Sequence, residues 1–102
     1  MSHRYVSLHE VCARYAIDDE LLRVIEAEHL IEIKQSAEGG RIVSAEQAER
    51  LRLVTVLMRE LDVNVAGVEV ILHMHEDLCA MQQQFDEILQ AVVAEMRRRL
   101  AG

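Results

Sequence analysis

The stretch Ser7-Leu8-His9-Glu10-Val11-Cys12-Ala13-Arg14-Tyr15-Ala16-Ile17-Asp18-Asp19-Glu20-Leu21-Leu22-Arg23-Val24-Ile25 reads as two short helices on either side of a tight turn. Ser7 and Glu10 have the spacing of a capping box, in which the hydroxyl accepts from the N3 amide and the carboxylate reaches back. Leu8, Val11, Cys12 and Tyr15 follow at helical intervals, giving a first helix near residues 7–15. Asp18 or Asp19 can cap a second helix, and Glu20 adds a favourable negative charge at its N-terminus. Leu21, Leu22, Val24 and Ile25 supply its apolar residues, and its end is expected near His29. With Ala16-Ile17 as the turn, the arrangement is a helix-turn-helix.

Beyond this pair the period changes. Ile31 and Ile33 alternate with Glu32 and Lys34, Gly39-Gly40 marks a turn, and Arg41-Ile42-Val43 follows. This predicts a β-hairpin over 31–43, a small wing on the helical pair. Ser44-Ala45-Glu46-Gln47 is a second capping box, opening a helix that carries Ala48, Leu51, Val54 and Met58 and closes at Leu61. Asn64 is placed to cap a last helix from about Val65 to Leu100, roughly 54 Å long at 1.5 Å per residue. The expected fold class is therefore mainly α: a winged helix-turn-helix head over 1–63 and a long C-terminal helix over 64–102 that serves dimerisation.

The second half of that helix carries Leu78, Met81, Phe85, Ile88, Val92 and Met96 at spacings of three and four. Such a seam is that of a coiled coil, and a second copy in antiparallel orientation is its expected partner. Packing against helix 44–61 is the intramolecular alternative. Arg97, Arg98 and Arg99 complement the dipole at the helix end.

Composition narrows the function. The 102 residues hold 11 Lys+Arg against 18 Asp+Glu, a formal net charge of −7, and 51% are hydrophobic. Tyr5, Tyr15 and Phe85 are the only aromatics, too few for the stacking platforms of a single-strand binder. Duplex binding draws on phosphate neutralisation, which the overall charge opposes. No run of about 18 apolar residues is present, and the first fourteen residues lack the apolar core of a signal peptide. Two cysteines without recurring spacing argue against a disulfide scaffold, so a cytoplasmic location is expected.

Candidate functional residues lie on the second helix. Opposite Leu21, Leu22 and Ile25 a helical wheel places Asp19, Glu20, Arg23, Glu26 and Ala27, three acids and one base. Asp18 precedes this face and Glu28 and Glu32 adjoin it. The simplest account of such a face is solvation; the alternative is a docking surface for a basic partner. His73 and His75 point apart on a helix and do not share a metal, whereas His75 and Cys79 share a face, where packing is their expected role; no metal or cofactor is expected. Cys12 falls on the apolar side of the first helix, a core position. The sequence contains no Gly-x-Ser-x-Gly, no phosphate-cradling loop and no His-Glu-x-x-His, so no enzymatic activity is expected.

The order helix, turn, helix, wing, helix, long helix resembles the head of MerR-type regulators. The likeness extends to Tyr5-Val6-Ser7-Leu8-His9-Glu10-Val11, to Arg41-Ile42-Val43-Ser44, and to the segment from Arg50-Leu51 to Arg59-Glu60-Leu61. Asp62-Val63-Asn64-Val65-Ala66-Gly67-Val68-Glu69-Val70-Ile71-Leu72 stands where that family has Gly-Phe-Ser-Leu-x-x-Ile, and it looks especially like the chaperone-modulator (CbpM type) branch. MerR-type heads present an Arg early in the second helix and then Arg-Tyr-Tyr to DNA. Here Glu20 takes the place of the first Arg, only Arg23 matches, and Val24-Ile25 replace the tyrosines. The turn glycine common in the family is Ala16.

Modulators of that branch bind the J-domain of a DnaJ-like (CbpA type) co-chaperone and block its stimulation of a DnaK-type chaperone. The resemblance thus implies a J-domain as partner, met through the head by Asp18, Asp19, Glu20, Arg23, Glu26 and Glu28. An acidic surface would complement the basic helical face that a J-domain presents. The competing reading is a DNA-binding regulator in which Arg23, Lys34 and Arg41 touch phosphates. A weaker third is a dimerisation module with no dedicated partner.

Overall fold

A computed structural model describes residues 4–102. The chain divides into two compact units, the first ending at Val68 and the second running from Glu69 to Gly102.

In the first unit, a short strand β1 (Tyr5–Ser7) leads into α1 (Leu8–Arg14). Ser7 caps α1, its hydroxyl accepting from the Glu10 amide at 3.4 Å. The helix ends in a Schellman motif, with the Ile17 amide donating to the Cys12 carbonyl at 2.8 Å and Ala16 to Ala13 at 3.4 Å. Ala16 adopts φ +54°, the left-handed conformation usually reserved for glycine. The missing turn glycine therefore leaves the turn geometry intact, at a strain of about 1–2 kcal/mol.

The second helix, α2 (Asp19–Ala27), is capped by Asp18, whose carboxylate accepts from the Leu21 amide at 2.8 Å. It closes with another Schellman motif, His29 at φ +54° and the Leu30 amide on the Ile25 carbonyl at 3.1 Å. Leu22 and Ile25 are its buried residues.

The wing differs from expectation in two ways. Pairing begins only at β2 (Lys34–Gln35), which meets β3 (Arg41–Ser44) antiparallel through Lys34↔Ile42 and Gln35↔Arg41. Leu30 and Ile31 are buried but not in a strand, because their backbone is bonded elsewhere. The Glu32 amide donates to Gln47 Oε1 at 2.8 Å, and Arg50 donates to the Leu30 carbonyl at 2.6 Å. The sheet also has three strands rather than two, in the order β1-β3-β2, with β1 antiparallel to β3 through Val6↔Val43. Gly39, at φ +93°, makes the turn between β2 and β3.

Next, α3 (Ala45–Thr55) begins at the expected cap, Ser44, which accepts from the Gln47 amide at 3.1 Å. It runs into a single π turn, Val56–Glu60, that ends at Leu61. Asp62 then turns the chain at φ +55°. Asn64 caps α4 (Val65–Ala101), accepting from the Gly67 amide at 2.8 Å. Ile25, Val43, Leu51, Val54 and Val68 are the largest fully buried side chains of this unit, and Leu8 and Val11 of α1 are buried as well, so every helix and the sheet contribute to one core.

The second unit consists of the rest of α4. Leu78, Met81, Phe85, Ile88, Val92 and Met96 are all exposed in the single chain, each by 49–65%. Among the described residues no helix is long and apolar enough to cross a membrane.

Candidate partner-binding face

The outer surface of α2 follows from its burial pattern. With Leu22 and Ile25 facing the core, Asp19, Glu20, Arg23, Val24 and Ala27 are exposed, as are Asp18 before the helix and Glu28 after it. Of the six residues expected to meet a partner, Asp19, Glu20, Arg23 and Glu26 lie on this helix and Asp18 and Glu28 cap its two ends, and they are not equivalent. Asp18 is committed to the cap. Glu26 is only half-exposed and is held in an ion pair by Arg41. Asp19, Glu20, Arg23 and Glu28 remain as the accessible charges of the face.

Arg41 reaches Glu26 because of strand alternation. It shares a sheet face with Val43, which is 1% exposed against the helices, so its guanidinium is carried toward α2. Lys34 pairs with Ile42 and so belongs to the opposite face. There its ammonium donates to the Tyr5 hydroxyl at 3.3 Å, lies 5.6 Å from that ring's centre and is 3.8 Å from Glu32. The hydrogen bond to Tyr5 and the electrostatic effect of the same group, followed by the charge of Glu32, hold Lys34 above its ordinary pKa. The three cations that could contact phosphate are thus not one patch. Arg41 is paired with Glu26, Arg23 lies one turn before Glu26 on α2, and Lys34 stands apart.

Beneath this cluster, Cys12 is half-buried rather than fully in the core. Burial pushes its thiol up from the ordinary value of 9.0; Arg41 opposes the shift, while Asp19 and Glu26 add to it.

Val24 was not legible as a surface residue from its apolar character. It is 38% exposed and lies one turn from both Glu20 and Glu28. Its position on the helical wheel, outside the arc of Leu22 and Ile25, is the signal that places it there. On α4, Cys79 Sγ is 3.9 Å from Nε2 and 4.0 Å from Nδ1 of His75, so the i, i+4 pair does meet. Among the described residues no third His, Cys, Asp or Glu joins them to complete a metal site.

A helix-turn-helix with a three-stranded wing sheet, followed by a long helix, defines the winged helix-turn-helix class of proteins. The family model of MerR HTH family regulatory proteins matches residues 6–90, and the chain belongs to that family. No curated protein matches it.

Proposed function

We propose that this protein is an adaptor rather than a DNA-reading regulator: a chaperone modulator whose head docks the basic helical face of a J-domain and inhibits that co-chaperone's stimulation of a DnaK-type chaperone. The observation that carries this reading is the sign of the exposed α2 face. Asp19 and Glu20 share the exposed face with a single Arg23, Glu28 adds a further exposed acid at the helix end, and Arg41 is neutralised by Glu26. A helix directed at a major groove would bring carboxylates to phosphates. Toward a cationic helix the same charges speed encounter and favour the correct partner. Val24 supplies an apolar contact inside the charged rim, where binding energy is usually concentrated.

In the same reading the adaptor is a homodimer in the cytoplasm, joined through the stripe from Leu78 to Met96. Burying residues that are each about half or more exposed gives the helix a partner that its apolar spacing requires. Charge selects the orientation. Residues 69–88 contain Glu69, Glu76, Asp77, Asp86 and Glu87 and no Lys or Arg, whereas Arg97, Arg98 and Arg99 close the helix. Antiparallel pairing sets the acidic half against the basic end, and parallel pairing sets like against like.

Calorimetric titration with the J-domain from the same source tests the function. Saturable binding that weakens as salt is raised is expected. No detectable heat at high micromolar concentration overturns the reading for that partner.

A further inference from the structure

We propose that Glu26 masks a latent phosphate-binding edge on the head, formed by Arg23 and Arg41, so that this intramolecular ion pair adds to the repulsion by the other α2 acids in keeping the protein off duplex DNA. The proposal rests on the adaptor reading above and explains how a helix-turn-helix family member is held to it. Arg41 donates through Nη1 to Glu26 Oε1. Arg23 lies three residues before Glu26, on the adjoining turn of α2, and forms no ion pair among the described residues. Arg41 therefore holds the Glu26 carboxylate where β3 meets α2, and Arg23 is the next charged residue on the same side of the helix. Arginine is suited to this exchange because its planar fork takes a phosphate as readily as a carboxylate.

Glu26 holds the place that a backbone phosphate would take. It is fixed there because its helix position puts it at the margin of the buried arc, one residue from Ile25, where a long side chain leans across to the sheet. The other acids of α2 add repulsion but do not occupy Arg41, which among the described residues pairs with Glu26. Removing the Glu26 carboxylate frees Arg41, leaves Arg23 on the same side of α2, and changes the local charge from +1 to +2 over these three residues.

The test uses the full-length protein and a fluorescently labelled random-sequence duplex, read by anisotropy at several salt concentrations. Glu26→Gln and Glu26→Ala, each verified as folded by circular dichroism, should bind the duplex at least about tenfold more tightly than the wild type at low salt. The slope of log affinity against log salt should steepen by about one unit for each Arg41 that meets a phosphate. Adding Arg41→Ala to Glu26→Gln should abolish the gain. Asp86→Asn with Glu87→Gln, which removes two negative charges far along α4, should not reproduce it. If the folded Glu26 variants bind no better than wild type, or if the α4 pair gains as much, the masking proposal is overturned. Titrating the same samples with the J-domain distinguishes that failure from failure of the adaptor reading, which depends on the wild type binding the J-domain.

Discussion

Arg59 donates through Nη1 to the carbonyl of Ala16 at 2.9 Å, linking the π turn after α3 to the left-handed residue between α1 and α2. Its Nη2 bonds the Tyr15 carbonyl at 3.3 Å, so one guanidinium satisfies two carbonyls left open at the end of α1. The cation also sits at the negative end of the α1 dipole. The turn that orients α2 is thus held from a residue more than forty positions away.

Replacing Arg59 by Met keeps the apolar stem and removes both bonds. Charge-assisted hydrogen bonds contribute about 1–3 kcal/mol, and this one is exposed, so a loss of about 1–2 kcal/mol is expected. Denaturant unfolding should show a lower midpoint with an unchanged slope. Arg59→Lys, unable to bridge both carbonyls, should recover only part of it.

Ala16→Gly should stabilise the protein. Relief of about 1–2 kcal/mol of left-handed strain outweighs about 0.4–1 kcal/mol of added unfolded-state entropy, a net gain of about 0.5–1 kcal/mol. Thermal unfolding should register it as a rise of a few degrees. Ala16→Val, branched at Cβ, should do the opposite.

The six α2 charges should separate into structural and accessible groups. Asp18→Lys removes a helix cap and is expected to cost about 1 kcal/mol, whereas Asp18→Asn keeps the cap and removes the charge. Asp19→Asn and Glu20→Gln remove one charge each, as Asp18→Asn does; they should cost little stability, yet they should weaken J-domain binding more than Asp18→Asn does. Equal loss of affinity in all three folded variants would show that only net charge matters.

The two cysteines should differ in reactivity at mildly alkaline pH. Cys12 is half-buried with a raised pKa, so it should alkylate slowly, whereas the exposed Cys79 should react first; mass spectrometry of the labelled peptides reads the order. A raised folded-state thiol pKa also means that stability is present below the unfolded value near 9.0 and declines as pH rises through it toward the folded value. Cys12→Ala should remove that alkaline decline.

Phe85→Glu with Ile88→Glu should abolish self-association, since both side chains lie on the exposed stripe of α4 and neither belongs to the core of the head. Sedimentation velocity should then report a monomer of 11.7 kDa where the wild type sediments as a dimer. A wild-type monomer would remove the dimer from the proposed function.

Helix starts were readable because a cap is local. Ser7, Asp18, Ser44 and Asn64 each accept from an amide three residues on, and the side chain that makes the bond is visible in the sequence. The apolar period of α4 and the acid face of α2 were readable for the same reason, since position on a helix follows from residue number alone. Tertiary structure decided what depends on partners distant in sequence. Ile31 left the expected hairpin because Arg50 and Gln47 of α3 bond the backbone on either side of it, at the Leu30 carbonyl and the Glu32 amide. The strand Tyr5–Ser7 exists through its pairing with β3, as three residues are too few to carry a period. The division of α2's carboxylates into one cap, one ion pair and a remaining exposed set was decided the same way. It follows from which face of β3 carries Arg41, and that depends on the register against β1 and β2, where a shift of one residue would turn Arg41 away from Glu26.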